Sequence, residues 1–259
     1  MAEPGTLYEL KHQAAFITLN APKTRNALSP AILAELIGHL QSAHQDPAVR
    51  AIVLTGTGTA FCAGADLRAR GDMGESASRT GGNPFIDLLK LIRDGDKPVI
   101  AAVNGAAFGG GVGLVAAADI SIAAAHASFS FSEVRIGVIP AMISVVVLPK
   151  LGEHQTMRLF LTGERFSAHE AESYGLVHKV VPGDQLERAV LADLRAITAG
   201  GPNAIREAKA LVRKVTRAPS EDEAYAYAER RIAELFASEE AAEGIGAFVQ
   251  KRPPRWVKP

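Results

Sequence analysis

The sequence has a single cysteine, Cys62, among 259 residues. One thiol cannot form a disulfide within the chain, and no Cys-x-x-Cys or His-Glu-x-x-His pattern provides the spacing of a metal site. The histidines are scattered without ligand spacing. A disulfide framework and a structural zinc motif are therefore excluded, and we expect a protein of a reducing compartment that carries no metal.

Excess charge of one sign is also absent, because 28 lysine and arginine residues balance 28 aspartate and glutamate residues. No basic run alternates with aromatic side chains, which argues against nucleic-acid and membrane-surface binding. The longest weakly charged stretch, residues 98–118, contains Asn104 and several glycines and indicates a buried strand and helix rather than a membrane span. The first residues lack the basic and apolar regions of a signal peptide. We expect a cytoplasmic protein without nucleic-acid or membrane partners.

Strand-like and helical patterns alternate over most of the chain. Segments rich in valine, isoleucine and leucine predict strands at residues 14–19, 51–55, 99–103, 120–123 and 176–181. Helices are predicted to begin after Ser29, after Asn83 and after a capping box that starts at Ser167. The pattern predicts an α/β body.

After residue 183 the strand signals stop. Three helices are predicted there, over residues 184–198, 203–217 and 221–249. An all-helical tail of this length usually packs on the body or on another subunit. Residues 69–82 are small, polar and rich in glycine, which predicts a surface loop.

Two loops that contain glycine follow predicted strands. In the first, residues 55–67, small side chains would let backbone N–H groups approach a ligand, and Asp66 would cap a helix; a plain tight turn is the alternative. In the second, residues 103–114, consecutive glycines at a helix start expose unpaired N–H groups to a phosphate or to a developing oxyanion. A formal match to a dinucleotide fingerprint begins at Gly111, but it does not directly follow the strand as that fold requires.

Glu133 is the candidate acid or base. Phe129 and Phe131 alternate as on a half-buried strand, which places Glu133 at a strand end among apolar residues. Burial there would raise the pKa of its carboxyl group toward the range that is useful for proton transfer. The alternative is that Glu133 pairs with Arg135 or caps the next turn.

Four segments stand in order along the chain: FCAGADL at 61–67, PVIAAVNG at 98–105, FGGG at 108–111 and SEVRIGVIP at 132–140. Together they resemble the enoyl-CoA hydratase/isomerase family, also called the crotonase superfamily. The resemblance covers nearly the whole chain, from PKTRNAL at 22–28 to FVQKRPP at 248–254.

The resemblance implies a crotonase-like spiral of ββα units followed by an all-helical region. Residues 1–200 would form the spiral core with the acyl-CoA site, and residues 201–259 would form a helical region for assembly into a homotrimer or a homohexamer. The implied substrate is an acyl-CoA of fatty-acid or lipid metabolism. No cofactor is implied, because coenzyme A enters as part of the substrate.

By the same resemblance, the backbone N–H groups of Ala63 and Gly110 form an oxyanion hole for the thioester oxygen. The residues implied to bind the CoA thioester are Lys23, Arg25, Ala63, Gly64, Ala65, Asp66 and Gly110. Removing one donor from such a hole typically costs about 3 kcal/mol of barrier.

Hydratases of the family use two glutamates. The second matches Glu133, whereas the position of the first is Gly113 here. Hydration needs one group to activate water and another to supply a proton, whereas double-bond isomerisation can proceed with one carboxyl group. Because residues 132–144 look most like hydratases that act on branched acyl-CoA substrates, we predict an enoyl-CoA hydratase, a hydro-lyase. The alternatives are a 3,2-enoyl-CoA isomerase that uses Glu133 as its sole acid and base, and a non-catalytic acyl-CoA-binding protein.

Overall fold

The computed structural model describes residues 4–67 and 82–257. The loop predicted at 69–82 lies outside these residues except for Gly82. The strands are β1 (Thr6–Lys11), β2 (Ala14–Leu19), β3 (Ala51–Gly56), β4 (Ala60–Cys62), β5 (Val99–Val103), β6 (Ala106–Phe108), β7 (Ile120–Ala124), β8 (Ser128–Ser130), β9 (Arg165–Ser167) and β10 (Lys179–Val181). The α-helices are α1 (Pro30–Gln45), α2 (Pro84–Asp94), α3 (Gly110–Ala117), α4 (Ala141–Thr162), α5 (Ala168–Ser173), α6 (Leu186–Ala199), α7 (Pro202–Thr216), α8 (Glu221–Phe236) and α9 (Glu239–Val249).

The strands form two sheets that the chain visits in turn. The larger sheet has the order β1-β2-β3-β5-β7-β10 and the smaller one the order β4-β6-β8-β9. Within each sheet the central neighbours β3, β5 and β7, or β4, β6 and β8, are parallel. The pair β5 and β6 is followed by α3, and the pair β7 and β8 precedes α4. The described chain is therefore an α/β spiral of ββα units, as predicted.

Two apolar clusters cover opposite faces of the larger sheet. Successive side chains of a strand point to opposite faces, so β5 contributes Ala101 to the larger cluster and Ile100 to the smaller one. The smaller cluster lies under α6, which supplies Val190 and Leu194. β5 is consequently buried on both faces, which is typical of a central parallel strand, and it holds the loop at its carboxyl end in place.

Several elements match the sequence-based boundaries and two do not. β2 and β5 have the predicted extents, α1 begins directly after Ser29 as predicted, and the Ser29 hydroxyl accepts the Ile32 N–H at 3.3 Å as the expected cap. The helix predicted over 221–249 is two helices, because Ser238 caps a new one by accepting the Ala241 N–H at 3.1 Å. The strand predicted over 176–181 forms only at Lys179–Val181.

Within the described residues, no helix is long and apolar enough to cross a membrane. The same part of the chain contains no group of three or more His, Cys, Asp or Glu side chains placed to hold a metal ion.

A partly buried ion cluster joins the helical tail to the spiral. Lys209 and Arg213 of α7 contact the Asp119 carboxylate at 2.7 and 2.8 Å, and Asp119 also accepts the N–H of Val99 at 2.8 Å. The Lys209 ammonium donates to the carbonyls of Ile92 and Lys97 at 3.1 and 2.8 Å. Its side chain is only 7% exposed, so its charge depends on Asp119 for compensation.

We expect Asp119→Asn to lower the free energy of unfolding by about 3 kcal/mol, because it removes the carboxylate that pairs with Lys209 and leaves Arg213 only its longer contact with Asp94 at 3.9 Å. Chemical denaturation measures the change. Glu164→Gln is the matched control, because its exposed pair with Arg158 should contribute less than about 1 kcal/mol. Equal effects of the two variants would contradict this assignment.

Candidate active site

Gly109 joins β6 to α3, and residues 109–113, which comprise Gly109 and the start of α3, are called the glycine turn below. Gly109 has φ +50°, a conformation that L side chains rarely adopt, and its N–H donates to the carbonyl of Ser130 at 2.9 Å. A Cβ atom added at Gly109 would lie 3.0 Å from Oε1 of Glu133. The glycine turn is therefore tied to β8 and packs directly against the Glu133 carboxyl group.

Glu133 lies in a 3-10 helix, Ser132–Ile136, and not at a strand end as the sequence predicted, because β8 stops at Ser130. Its Oε2 atom is buried and accepts no hydrogen bond from the described residues. The alternative pairing with Arg135 is not observed: no ion pair involves Glu133 in the described part of the chain.

Burial raises the pKa of the Glu133 carboxyl group above its ordinary value, and its own backbone N–H opposes this shift. A buried carboxyl group without an ionic partner holds its proton more tightly than an exposed one. The raised pKa makes Glu133 a better proton acceptor than an exposed carboxylate, which suits a group that accepts and returns a proton.

Gly110 provides a free N–H beside this carboxyl group. It is the first residue of α3, so its N–H has no acceptor within the helix, and no other described residue accepts it. The positive end of the α3 dipole reinforces the N–H. Negative charge on a ligand is stabilised at this point.

A second free N–H lies nearby on residues 63–66, which we call the donor segment. The Ala63 N–H donates to the carbonyl of Arg25 at 2.9 Å, and the Leu28 N–H donates to the carbonyl of Gly64 at 2.7 Å. Among the described residues, no acceptor takes the Ala65 N–H. A Cβ atom added at Gly64 would lie 3.2 Å from the Gly110 nitrogen, so the donor segment adjoins the start of α3.

These contacts do not support Ala63 as an oxyanion donor, since its N–H is already used. The pair of free N–H groups at this place belongs to Gly110 and Ala65. The sequence could not distinguish Ala63 from Ala65. The hydrogen bonds that occupy the Ala63 N–H and leave the Ala65 N–H free are made with residues 25–28, which are distant along the chain.

The remaining residues that the resemblance assigned to CoA binding lie around the same segment. Lys23 is exposed in the 3-10 helix Pro22–Thr24, and Arg25 is exposed with φ +55°. The Arg25 carbonyl contacts the donor segment, which ends at the half-buried Asp66. Their side-chain roles stay predictions.

Gly113 lies against an apolar wall that the sequence did not reveal. A Cβ atom added at Gly113 would collide with Cγ2 of Ile143 and would lie 3.1 Å from its Cβ atom. Phe85 of α2 lies 3.6 Å from the same point and 3.2 Å from a Cβ atom added at Gly110. Ile143, buried in α4, thus fills the space that a side chain at position 113 would need.

With this geometry in place, the comparison with known proteins decides the family. A family model described as enoyl-CoA hydratase/isomerase matches residues 9–259. The chain belongs to the enoyl-CoA hydratase/isomerase family. It is 37% identical over 246 residues to the carnitinyl-CoA dehydratase of Salmonella arizonae, covering 93% of each protein. It is 33% identical over 259 residues to the crotonyl-CoA hydratase of Syntrophomonas wolfei, covering 99% of each.

Solved structures of the family confirm the crotonase fold. Pseudomonas aeruginosa AtuE superposes with a TM-score of 0.91 at 36% identity, over 98% of this chain and 100% of that one. An enoyl-CoA hydratase from Mycobacterium smegmatis superposes with a TM-score of 0.90 at 32% identity, over 98% and 99%.

The contact between Gly113 and Ile143 predicts coupled stability effects. Gly113→Ala should lower the free energy of unfolding by about 1 to 3 kcal/mol through overpacking. In Gly113→Ala/Ile143→Ala the new methyl group enters vacated space, so the loss should be smaller than the sum of the single losses by about 1 kcal/mol.

Gly38→Ala, on the exposed side of α1 with nothing near the added Cβ atom, is the control and should be neutral or slightly stabilising. Thermal unfolding of the four variants measures the effect. If the loss in the double variant equals the sum of the losses in Gly113→Ala and Ile143→Ala, then Ile143 does not fill the space beside position 113.

Proposed function

We propose that this protein is an enoyl-CoA hydratase, a hydro-lyase that adds water across the 2,3 double bond of an enoyl-CoA thioester. The observation that carries the proposal is the buried, unpaired Oε2 of Glu133, whose carboxyl group packs against Gly109 of the glycine turn, next to the free N–H of Gly110. Relatives named as hydratases at about one-third identity support the reaction class.

In this mechanism the thioester oxygen accepts hydrogen bonds from the N–H groups of Gly110 and Ala65. Attack of water at C3 moves negative charge onto that oxygen as the enolate forms. Fixed N–H donors and the α3 dipole stabilise this charge without reorganising, and each donor is worth about 3 kcal/mol of barrier.

Glu133 performs both proton transfers. Its carboxylate accepts a proton from water as the hydroxyl group bonds to C3, and the resulting carboxylic acid returns that proton to C2 of the enolate. The raised pKa of Glu133 suits both steps, because it makes the carboxylate a better proton acceptor and the protonated form easier to reach than in an exposed carboxyl group. The carboxyl group ends in its starting state.

The substrate would bring coenzyme A to the site, with Lys23 and Arg25 as contacts for it. No cofactor is proposed, since the reaction consists of hydration and proton transfer. We also propose that residues 201–259 assemble with other copies as a trimer or hexamer. Exposed apolar side chains on α7 to α9 support this, among them Val212, Phe236, Phe248 and Val249. A cytoplasmic location stays a prediction.

Isomerisation of a 3-enoyl-CoA is the second candidate, and one observation favours it. The wall of Ile143 and Phe85 beside Gly113 is apolar, so it offers no charged group to hold a water molecule. A single carboxyl group could then carry a proton from C2 to C4 through a dienolate held by the same N–H pair.

The test is to incubate the purified protein separately with crotonyl-CoA and with a 3-enoyl-CoA. We expect crotonyl-CoA to gain the mass of one water and to lose the ultraviolet absorbance of the conjugated thioester. Intact crotonyl-CoA together with conversion of the 3-enoyl-CoA to its conjugated isomer would establish the second candidate instead.

Glu133→Gln should lower the turnover number by about 1000-fold, because it removes the group that transfers protons. Its melting temperature should be equal to or above that of wild type, since burying a neutral amide avoids the cost of burying a carboxylate. Glu164→Gln, at an exposed carboxylate, should change neither quantity. Unchanged binding of acyl-CoA by Glu133→Gln, with no turnover by wild type, would support a non-catalytic binding protein.

A further inference from the structure

Asn26 is a buried polar residue in the loop between the 3-10 helix Pro22–Thr24 and α1. Its relative exposure is 0% and its φ is +58°, so a non-glycine residue is held in the left-handed region. A side chain retained in such a conformation and environment must be well bonded. None of the steps described above uses it.

The carboxamide of Asn26 links two loops. Its Oδ1 accepts the N–H of Ala21 at 2.9 Å, which closes its own loop. Its Nδ2 donates to the carbonyls of Thr57, Ala60 and Phe61 at 3.0, 2.8 and 3.3 Å, which lie in the turn from β3 to β4 and in β4 itself. Asn26 thus fixes residues 25–28 to the strand that leads into the donor segment.

Residues 25–28 in turn hold the donor segment by three backbone hydrogen bonds. The Arg25 carbonyl accepts the Ala63 N–H at 2.9 Å. The Leu28 N–H donates to the Gly64 carbonyl at 2.7 Å, and the Leu28 carbonyl accepts the Asp66 N–H at 3.3 Å. These bonds lie on both sides of Ala65.

The bond to Gly64 determines where the Ala65 N–H points. The Gly64 carbonyl and the Ala65 N–H belong to the same peptide group, and in a trans peptide they point in opposite directions. Because Leu28 holds the carbonyl on one side, the N–H is directed to the other side. It therefore stays clear of residues 25–28 and free for a ligand.

We propose that Asn26 is a positioning residue for the oxyanion site: its carboxamide holds residues 25–28 so that the Ala65 N–H faces the thioester oxygen. This inference rests on the proposed function, in which Ala65 and Gly110 bind that oxygen. If the proposal holds, loss of the Asn26 carboxamide weakens the polarisation of the bound thioester carbonyl, which a role in folding alone would not do.

Asn26→Gly tests the proposal, since glycine accepts the φ of +58° but removes all four hydrogen bonds. Asn26→Asp is the second variant: it keeps the size and the Oδ1 acceptor but turns a carboxylate toward three carbonyl oxygens. The matched control is Asn104→Ala. Asn104 accepts the Gly56 N–H at the end of β3 at 3.1 Å and donates to the carbonyls of Gly58 and Ala60 at 3.2 and 3.5 Å, but it has no bond to residues 25–28.

The direct readout is the infrared stretching frequency of the thioester carbonyl in bound butyryl-CoA, isotope-labelled at the carbonyl carbon. This saturated ligand reports polarisation without turnover. We expect wild type and Asn104→Ala to lower the frequency, and both Asn26 variants to lose much of that shift while binding butyryl-CoA within a few-fold of wild type. The kcat for crotonyl-CoA should fall about 10- to 100-fold in the Asn26 variants, with KM little changed.

A full wild-type shift and kcat in Asn26→Gly would overturn the proposal. Equal losses in Asn104→Ala and the Asn26 variants would also overturn it, since they would mark a general effect on folding. If wild type lowers the frequency but turns over no enoyl-CoA, and Asn26→Gly loses the shift, then the positioning role stands and the hydratase function is wrong. No shift in wild type would reject the donor pair and the role of Asn26 together.

Discussion

The close backbone packing around the start of α3 is the constraint on which the site depends. A Cβ atom at Gly111 would collide with the Cys62 carbonyl, so α3 can lie against β4 only because that position lacks a side chain. This packing brings the free N–H of Gly110 beside the segment that carries Ala65, and brings the glycine turn beside Glu133. The groups proposed to hold charge are backbone groups of rigid elements, which is the arrangement that stabilises a developing oxyanion most effectively.

Several polar groups of the site have no partner among the described residues. The Glu133 carboxyl group is buried without an ionic partner, while free N–H groups and a helix dipole face the neighbouring space. Each arrangement costs folding stability and is useful to an enzyme. A thioester bound between them would place its oxygen on the donors and its carbon chain beside the carboxyl group. Proton transfer and charge stabilisation would then occur on one substrate.

Local signals predicted much of the fold. The extents of β2 and β5 follow from apolar runs, and the start of α1 follows from the Ser29 cap; both signals involve only neighbouring residues. Long-range contacts could not be predicted in this way. Ile143 of α4 fills the space beside Gly113 of α3, so this contact lies between two helices. The hydrogen bond from Leu28 to Gly64 lies between two separate loops.

The same distinction explains the outcome for the candidate site. Glu133 and Gly110 were recognisable from the glycine run and the apolar segment around the glutamate. The resemblance assigned the second donor to Ala63, and the sequence does not show that the Ala63 N–H is already bonded while the Ala65 N–H is free. The four hydrogen bonds of Asn26 likewise come from residues more than thirty positions away or from its own loop, and a lone asparagine gives no signal of them.

The central claim, that Glu133 and the N–H pair form one proton-transfer site, is tested most directly by exchange of the C2 protons of butyryl-CoA with deuterated water, followed by mass spectrometry. Wild type should exchange these protons at a rate that declines as the pH falls through the raised pKa of Glu133, whereas Glu133→Gln should bind the ligand without exchange. Exchange at the wild-type rate in Glu133→Gln would contradict the claim.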